Sequence, residues 1–316
     1  MNLIVSYHHL AVDWYVGEFY IKFLNFLKEI PGINVEYVHS AELANKYGCG
    51  ATNNNGLPSI FNPYNLIIMN KDNGKTFVHS WNDYAPCILE ERSGINNLDV
   101  VKFACVSRLD QGIIDNYKGN VIIQPSFFYL ERMSDIDLIE KNKTNPKIHD
   151  KAYMNALCHS NRERFIDVFN QSERFDLKKK DGADFLSKED YFNVLSQHKF
   201  GLNLDGAAKI CYRDLETFGL GVLSLRENLN VLTHEPLTVN EHYLELIDDD
   251  IKSKINIDTE IPYIIEKIES KMNDSVSSGQ YEYIVNQAHG WYERNCLPDN
   301  QIKILFSFLE NFEILK

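Results

Sequence analysis

Short apolar runs alternate along the chain with longer stretches in which apolar residues return every three or four positions, and these two periods mark strands and helices. Leu3-Ile4-Val5-Ser6 reads as a buried strand. Asp13 to Ile30 reads as an amphipathic helix, stopped by Pro31-Gly32 before a second strand over Asn34 to Val38. Together these make a βαβ opening. Two further apolar runs, Leu66 to Asn70 and Lys75 to Ser80, flank Asp72-Asn73-Gly74. That spacing predicts a hairpin whose two central turn positions both take positive φ. Val100 to Val106 and Asn120 to Gln124 add strands on either side of a helix-like Gln111 to Tyr117. Met133 to His149 is rich in Lys, Asn and Asp and contains Pro146, so it reads as a polar connector. The alternation then restarts with a strand over Tyr153 to Cys158, a loop at His159-Ser160-Asn161 and a helix through Arg164 to Phe169. Ser187-Lys188-Glu189-Asp190 caps a helix ending near Gln197. Asp248-Asp249-Asp250 and Ile261 to Met272 read as surface segments, and Gln280 to Phe308 as paired helices.

The pattern is densest from His198 to Leu225, where strand, glycine turn, helix and second strand follow one another. Asp205-Gly206-Ala207-Ala208 breaks the apolar strand that ends at Leu204. Gly206 lets backbone N–H groups approach an anion closely, and the next helix directs the positive end of its dipole to the same place. Arg213 and Glu216 lie three apart on one face of that helix. There a guanidinium can meet a diphosphate and a carboxylate can accept ribose hydroxyls. Gly219 and Gly221 close the helix onto Val222 to Leu225. An ordinary βαβ crossover also carries Asp, Gly and Arg at its helix start, so spacing alone leaves both readings open.

Composition narrows the choice. At 316 residues the chain exceeds what one core usually supports, and 44% hydrophobic with 12% aromatic content is enough to fill two. A net charge of −13 lacks the basic face that phosphate-backbone binding needs, so nucleic acid is not an expected partner. A nucleotide ligand needs only a local cluster of Arg and N–H groups. No stretch is apolar for the length of a membrane span, and the first residues lack the positive region and apolar core of a signal peptide. The six cysteines are scattered without C-x-x-C spacing, as buried free thiols of a reducing compartment are. A soluble, cytoplasmic protein is the expectation, with the Asn, Lys and Ile usage of an AT-rich microbial or viral source.

The run Lys199-Phe200, Leu202-Asn203-Leu204-Asp205-Gly206, then Arg213, Glu216 and Gly221, resembles the C-terminal signature of the capsule-associated protein and protein O-glucosyltransferase (O-xylosyltransferase) family of glycosyltransferases. Its Arg-x-x-Glu-to-glycine half is also similar to exostosins. The interval from Gly206 to Arg213 is one residue longer than the family pattern. The resemblance implies a GT-B fold, Arg213 on the diphosphate and Glu216 on the ribose. It also implies a UDP-sugar donor, with xylose or glucose as the sugar, and no cofactor besides that donor.

Three further constellations fit the resemblance. His159 to Arg164 resembles the family's strand, small-residue loop and arginine, which would put Ser160 and Arg164 on the nucleotide; a solvated helix start is the alternative. Val78 to Tyr84 resembles the segment in which a strand ends in an aspartate before an aromatic residue, which makes Asp83 the general base. A turn-capping Asp is the competing explanation. His8 and His9 follow the first strand, where plant-type UDP-sugar transferases keep a base, and they stand as the other candidates. Asp135-Ile136-Asp137 has the D-x-D form of metal-dependent GT-A transferases but falls in the polar connector. No metal ligand set is therefore expected.

The expectation is an α/β, GT-B-like protein with two Rossmann-like domains facing a cleft and C-terminal helices crossing back. Residues 1–135 form the acceptor side, 150–290 bind the nucleotide sugar, and 291–316 pack on the first domain. The activity implied is inverting transfer from a UDP-sugar to a hydroxyl of a glycan or glycoprotein. A non-catalytic nucleotide- or glycan-binding protein, or a GT-A-type enzyme, is the alternative.

Overall fold

The computed structural model describes residues 1–7, 17–39, 42–43, 65–80, 99–103, 112, 122–124, 133–156, 160–179, 186–205 and 209–316. The α/β class expected from the sequence is the one found. The chain forms two compact units, one of residues 1–133, 231–236 and 295–316, the other of residues 134–230 and 237–294.

In the first unit, strands β1 (Asn2–Ser6), β2 (Asn34–Tyr37), β3 (Asn65–Asn70), β4 (Lys75–Ser80), β5 (Asp99–Phe103) and β6 (Ile122–Gln124) form one sheet in the order β2-β1-β3-β4-β5-β6. The sheet is mixed, because β3 runs antiparallel to both neighbours. The β3–β4 hairpin is the expected one, but its turn is longer. Only Gly74 takes positive φ (+77°), and its N–H bonds to the Asn70 carbonyl at 2.9 Å. Asn70 Oδ1 accepts from the Asp72 N–H at 2.8 Å, which removes the need for a second left-handed residue. Helix α1 (Gly17–Glu29) lays Phe19, Phe23 and Leu27 on Leu3, Val5, Leu66 and Ile68. The last helix belongs to this core as well, through Ile302, Leu305, Leu309 and Ile314. It ends in a six-to-one bond from the Ile314 N–H to the Leu309 carbonyl, with Glu313 left-handed at φ +60°. Lys75 and Lys316 hold that glutamate, and Asn70 Nδ2 donates to the Ile314 carbonyl at 2.8 Å.

In the second unit, β7 (His149–Ala156), β8 (Phe175–Lys179), β9 (His198–Asn203), β10 (Leu223–Glu227) and β11 (Leu244–Ile247) form a wholly parallel sheet in the order β11-β10-β9-β7-β8. This is a doubly wound order whose direction reverses between β7 and β9, and ligands of such sheets bind outside the strand ends at that point. Residues 133–149, read as connector, instead carry helix α2 (Met133–Asn142). Ile139 is fully buried and Asp135 is 1% exposed against Lys188, so tertiary packing orders a stretch whose composition alone looked like a loop. The connecting helices are α3 (Ser160–Phe169), α4 (Lys188–Ser196), capped by Ser187 as expected, and α5 (Tyr212–Gly219). Helix α6 (Asp249–Lys254) starts at the capping carboxylate of Asp248. Helix α7 (Ile261–Ser277) is not a surface segment: Ile264, Ile268 and Met272 are fully buried in the main apolar core. Helices α8 (Gln280–Cys296) and α9 (Pro298–Asn311) follow, the latter closing the first unit. No helix among the described residues is long and apolar enough to cross a membrane.

Candidate functional site

The two faces of the parallel sheet are built from different residues. Met154, Phe200, Leu202, Leu223 and Leu225 point into the apolar core with α3, α6 and α7. Alternation along the strands sends Tyr153, Asn155, Gly201, Asn203 and Ser224 to the other face, under α4 and α5. That face is small and polar. Gly201 allows α5 to lie directly on β9, since a Cβ there would stand 2.4 Å from Thr217 Cγ2. Asn203 Nδ2 donates to Thr217 Oγ1 at 3.2 Å and to Ser224 Oγ at 2.7 Å, which pins the helix to the two central strands.

Helix α5 begins at the switch point. Its cap, Cys211, is extended, and its N–H donates to Asp214 Oδ2 at 2.9 Å. Burial, followed by the Asp214 charge, pushes the Cys211 thiol up to about 11, so it stays protonated and unreactive near neutral pH. Asp214 is fully buried and paired with Arg226, itself 1% exposed. Arg226 also reaches Asp205 Oδ1 at 3.2 Å and donates to the carbonyls of Lys209 at 2.6 Å and Glu227 at 3.0 Å, with its guanidinium 5.6 Å from the centre of the Tyr243 ring. The Asp214 carboxylate thus both caps the start of α5 and answers the Arg226 charge.

Arg213, the next residue of the same turn, behaves differently. Its Nε and Nη1 are out of solvent and make no hydrogen bond. Burial opposes its charge, but Glu216 and Asp214 are among the groups that hold it above the ordinary range. Beside it Glu216 accepts a hydrogen bond from Tyr191 Oη at 3.0 Å. Burial raises the Glu216 carboxyl above its usual range against the lowering effects of Arg213 and of that bond. The Tyr191 phenol is pushed well above its ordinary value by burial and then by the Glu216 charge. Tyr153, fully buried on β7, faces the same group and is raised by burial. A half-buried guanidinium with two unused donors, at a helix start and a switch point, is a candidate site for an anion.

Arg213, Glu216 and Asp205 therefore fall at one end of the parallel sheet. Asp205 carries out a local task there, paired with Arg226 and Lys209. Arg164 is turned elsewhere: Nε donates to the Ile255 carbonyl at 2.7 Å and Nη2 to Asp258 at 2.6 Å, which fastens α3 to the end of α6. Ser160 is the first residue of α3. Gly206, Ala207, Ala208, Asp83, His8 and His9 lie outside the described residues. Sequence reasoning missed Arg162, Tyr191 and Arg226. Arg226 did leave a signal, being a charge inside the apolar strand Leu223 to Glu227. In the D-x-D element, Asp135 is buried on Lys188 while Asp137 is exposed on another side of α2, so the two carboxylates diverge. Among the described residues no group of three potential ligands is placed to hold a metal.

The chain is a two-unit α/β protein, and the candidate site lies at Arg213, at the switch point of the second sheet. No protein-family model matches the sequence, and no curated protein matches it significantly. Solved structures similar in fold include the pneumococcal O-GlcNAc transferase GtfA in complex with UDP and GlcNAc, at 8% identity and a TM-score of 0.41. A GtfA/B complex is similar at 9% identity and 0.38. Each match covers 74% of this chain and 48% of the other, so the chain spans about half the length of the proteins it matches. Likeness this slight bears on neither substrate nor mechanism, and the functional reading rests on the site itself.

Proposed function

We propose that the chain is a GT-B-type glycosyltransferase that binds a nucleoside diphosphate sugar at the Arg213 pocket and passes the sugar, with inversion, to a hydroxyl of a glycan or glycoprotein. The observation that carries this reading is Arg213, whose unused Nε and Nη1 stand at the α5 start beside Glu216. In such a transfer the acceptor oxygen attacks the anomeric carbon while the bond from that carbon to the diphosphate oxygen breaks. Negative charge then grows on the departing diphosphate, where Arg213 and the α5 dipole are placed to stabilise it. Glu216, held by Tyr191, takes the ribose hydroxyls. Asp83 accepts the proton of the acceptor hydroxyl, with His8 or His9 in that role if it does not. The resemblance favours UDP-xylose or UDP-glucose. Because Arg213 and helix N–H groups supply the positive charge, no divalent metal is required.

The test is a thermal-shift panel of nucleotides followed by a donor assay with UDP-xylose, UDP-glucose and UDP-GlcNAc. Stabilisation by UDP together with UDP release from one of these donors supports the reading. Stabilisation without release makes the chain a binding protein. Activity lost in EDTA and restored by manganese overturns the metal-free mechanism. Asp83→Asn should keep donor affinity and lower turnover about 10²–10⁴-fold, as loss of a general base does. Normal turnover in that variant moves the role to the histidines.

A further inference from the structure

The segment from α2 to β7 straps the C-terminal ends of the two helices that carry the candidate site. Ile139 on α2 packs against Gly219 at the end of α5, where a Cβ would stand 2.8 Å from Ile139 Cγ2. Asn145 Nδ2 donates at 2.8 Å to Oγ of Ser196, the last residue of α4. Lys147, half-buried, bridges both helices: its Nζ donates to the Ser196 carbonyl at 2.7 Å and to the carbonyl of Leu220, the cap of α5, at 2.9 Å. Carbonyls at a helix end have no partner in their own helix, and two such ends side by side are both negative. An ammonium group, with three donors and a full charge, answers the two at once. The same helices meet a second time through the Tyr191–Glu216 bond. Glu216 lies one turn before Leu220, whose N–H bonds to the Glu216 carbonyl at 3.0 Å.

We propose that Lys147 is a positioning residue for the candidate site: it sets the spacing of α4 and α5 so that Tyr191 meets Glu216, and so keeps that carboxylate off Nε and Nη1 of Arg213. This rests on the donor-binding reading above. Glu216 is bonded to Tyr191, while Nε and Nη1 of Arg213 have no partner. Without the ammonium group the Ser196 and Leu220 carbonyls lose their shared donor, and the two helix ends part to reach water. Glu216 then loses Tyr191 and turns to Arg213, three residues earlier on the same helix face. An arginine answered from within its own helix has those donors no longer free for a phosphate.

The experiment is a double-mutant cycle, read by calorimetric titration of UDP into the full chain, its Lys147→Met and Tyr191→Phe variants and the variant carrying both changes. Melting curves are taken in parallel. Each single change should weaken UDP binding about two- to tenfold, the worth of one ordinary hydrogen bond, and the two together no further than the weaker single variant. Lys147→Arg, which is charged and donates to several acceptors, should bind UDP as the wild type does. Losses that multiply in the double variant show a merely structural role and overturn the proposal, as does unchanged UDP affinity in Lys147→Met or an arginine variant as weak as the methionine one. Should Lys147→Met not melt cooperatively, Lys147→Gln takes its place in the same cycle. A wild-type chain that does not bind UDP refutes the donor-binding reading itself, and this proposal with it.

Discussion

Arg213 and Arg226 stand at opposite ends of the same short crossover, the first half-buried and the second 1% exposed, and they are treated in opposite ways. Every direction around Arg226 is answered by a carboxylate, a carbonyl or an aromatic face. Arg213 keeps two donors with nothing to donate to, beside a glutamate already engaged by Tyr191. A cation that completes its own surroundings is part of the architecture. One left incomplete stores binding energy for something that arrives later. The difference separates residues that make the pocket from the residue that uses it.

The sharpest way to break this comparison is Arg226→Met. It strands the buried Asp214 without its counter-charge, and stability should fall by about 3–5 kcal/mol, measured by urea denaturation. Adding Asp214→Leu should restore much of that loss, since an absent ion pair costs far less than half of one. A single variant as stable as wild type would remove the architectural role. Arg213→Met should shift the loss to binding. Stability should fall by less than in Arg226→Met, because Nε and Nη1 of Arg213 have no hydrogen bond to lose, while UDP affinity drops roughly tenfold to a hundredfold, equivalent to about 1.5–3 kcal/mol. Equal UDP affinity in calorimetry would make the two arginines alike after all. Tyr191→Phe sharpens the contrast further. It removes the one side-chain bond described for the Glu216 carboxylate and should weaken UDP binding by about 0.5–1.5 kcal/mol with uracil-only binding unaffected.

The smallest effect lies in acid. Against the upward push of partial burial, hydrogen bonds from Lys271, the Ile251 N–H and Lys267 hold the Asp248 carboxyl down at about 2. Its folded value lies below the ordinary 3.8, so the stabilisation is complete above that value and is lost as pH falls toward 2. Asp248→Asn should flatten the melting temperature over that interval and leave it unaltered in slope above pH 5. A wild-type profile with no slope there would show the cluster to be inert.

Most strands and the longer helices were legible because burial on one face imposes a period, as on β9. Helix α2 and strand β8 were not. Their sequences are as polar as loops; β8 is ordered through pairing with β7, and α2 through the burial of Ile139 and the Asp135–Lys188 pair. Arg213 and Glu216 could be singled out because they share one helix turn. Tyr191, Arg162 and Arg226 each reach the end of β9 or the start of α5 from a different element, and no spacing along the chain brings them together. The Asn-Gly turn was read correctly as a hairpin but not in its detail, because Asn70 supplies from its side chain what a second positive φ would have given.

The helix that closes the first core carries consequences for how the protein is made. Residues 134–294, which contain nearly all of the second unit, are synthesised before Ile302, Leu305, Leu309 and Ile314. Until then the apolar side of α1 and β1 has no cover from that helix, so the half synthesised first is the half completed last. A nascent chain thus carries most of its second unit while Phe19, Phe23 and their neighbours still lack that cover and are open to sticking to other chains.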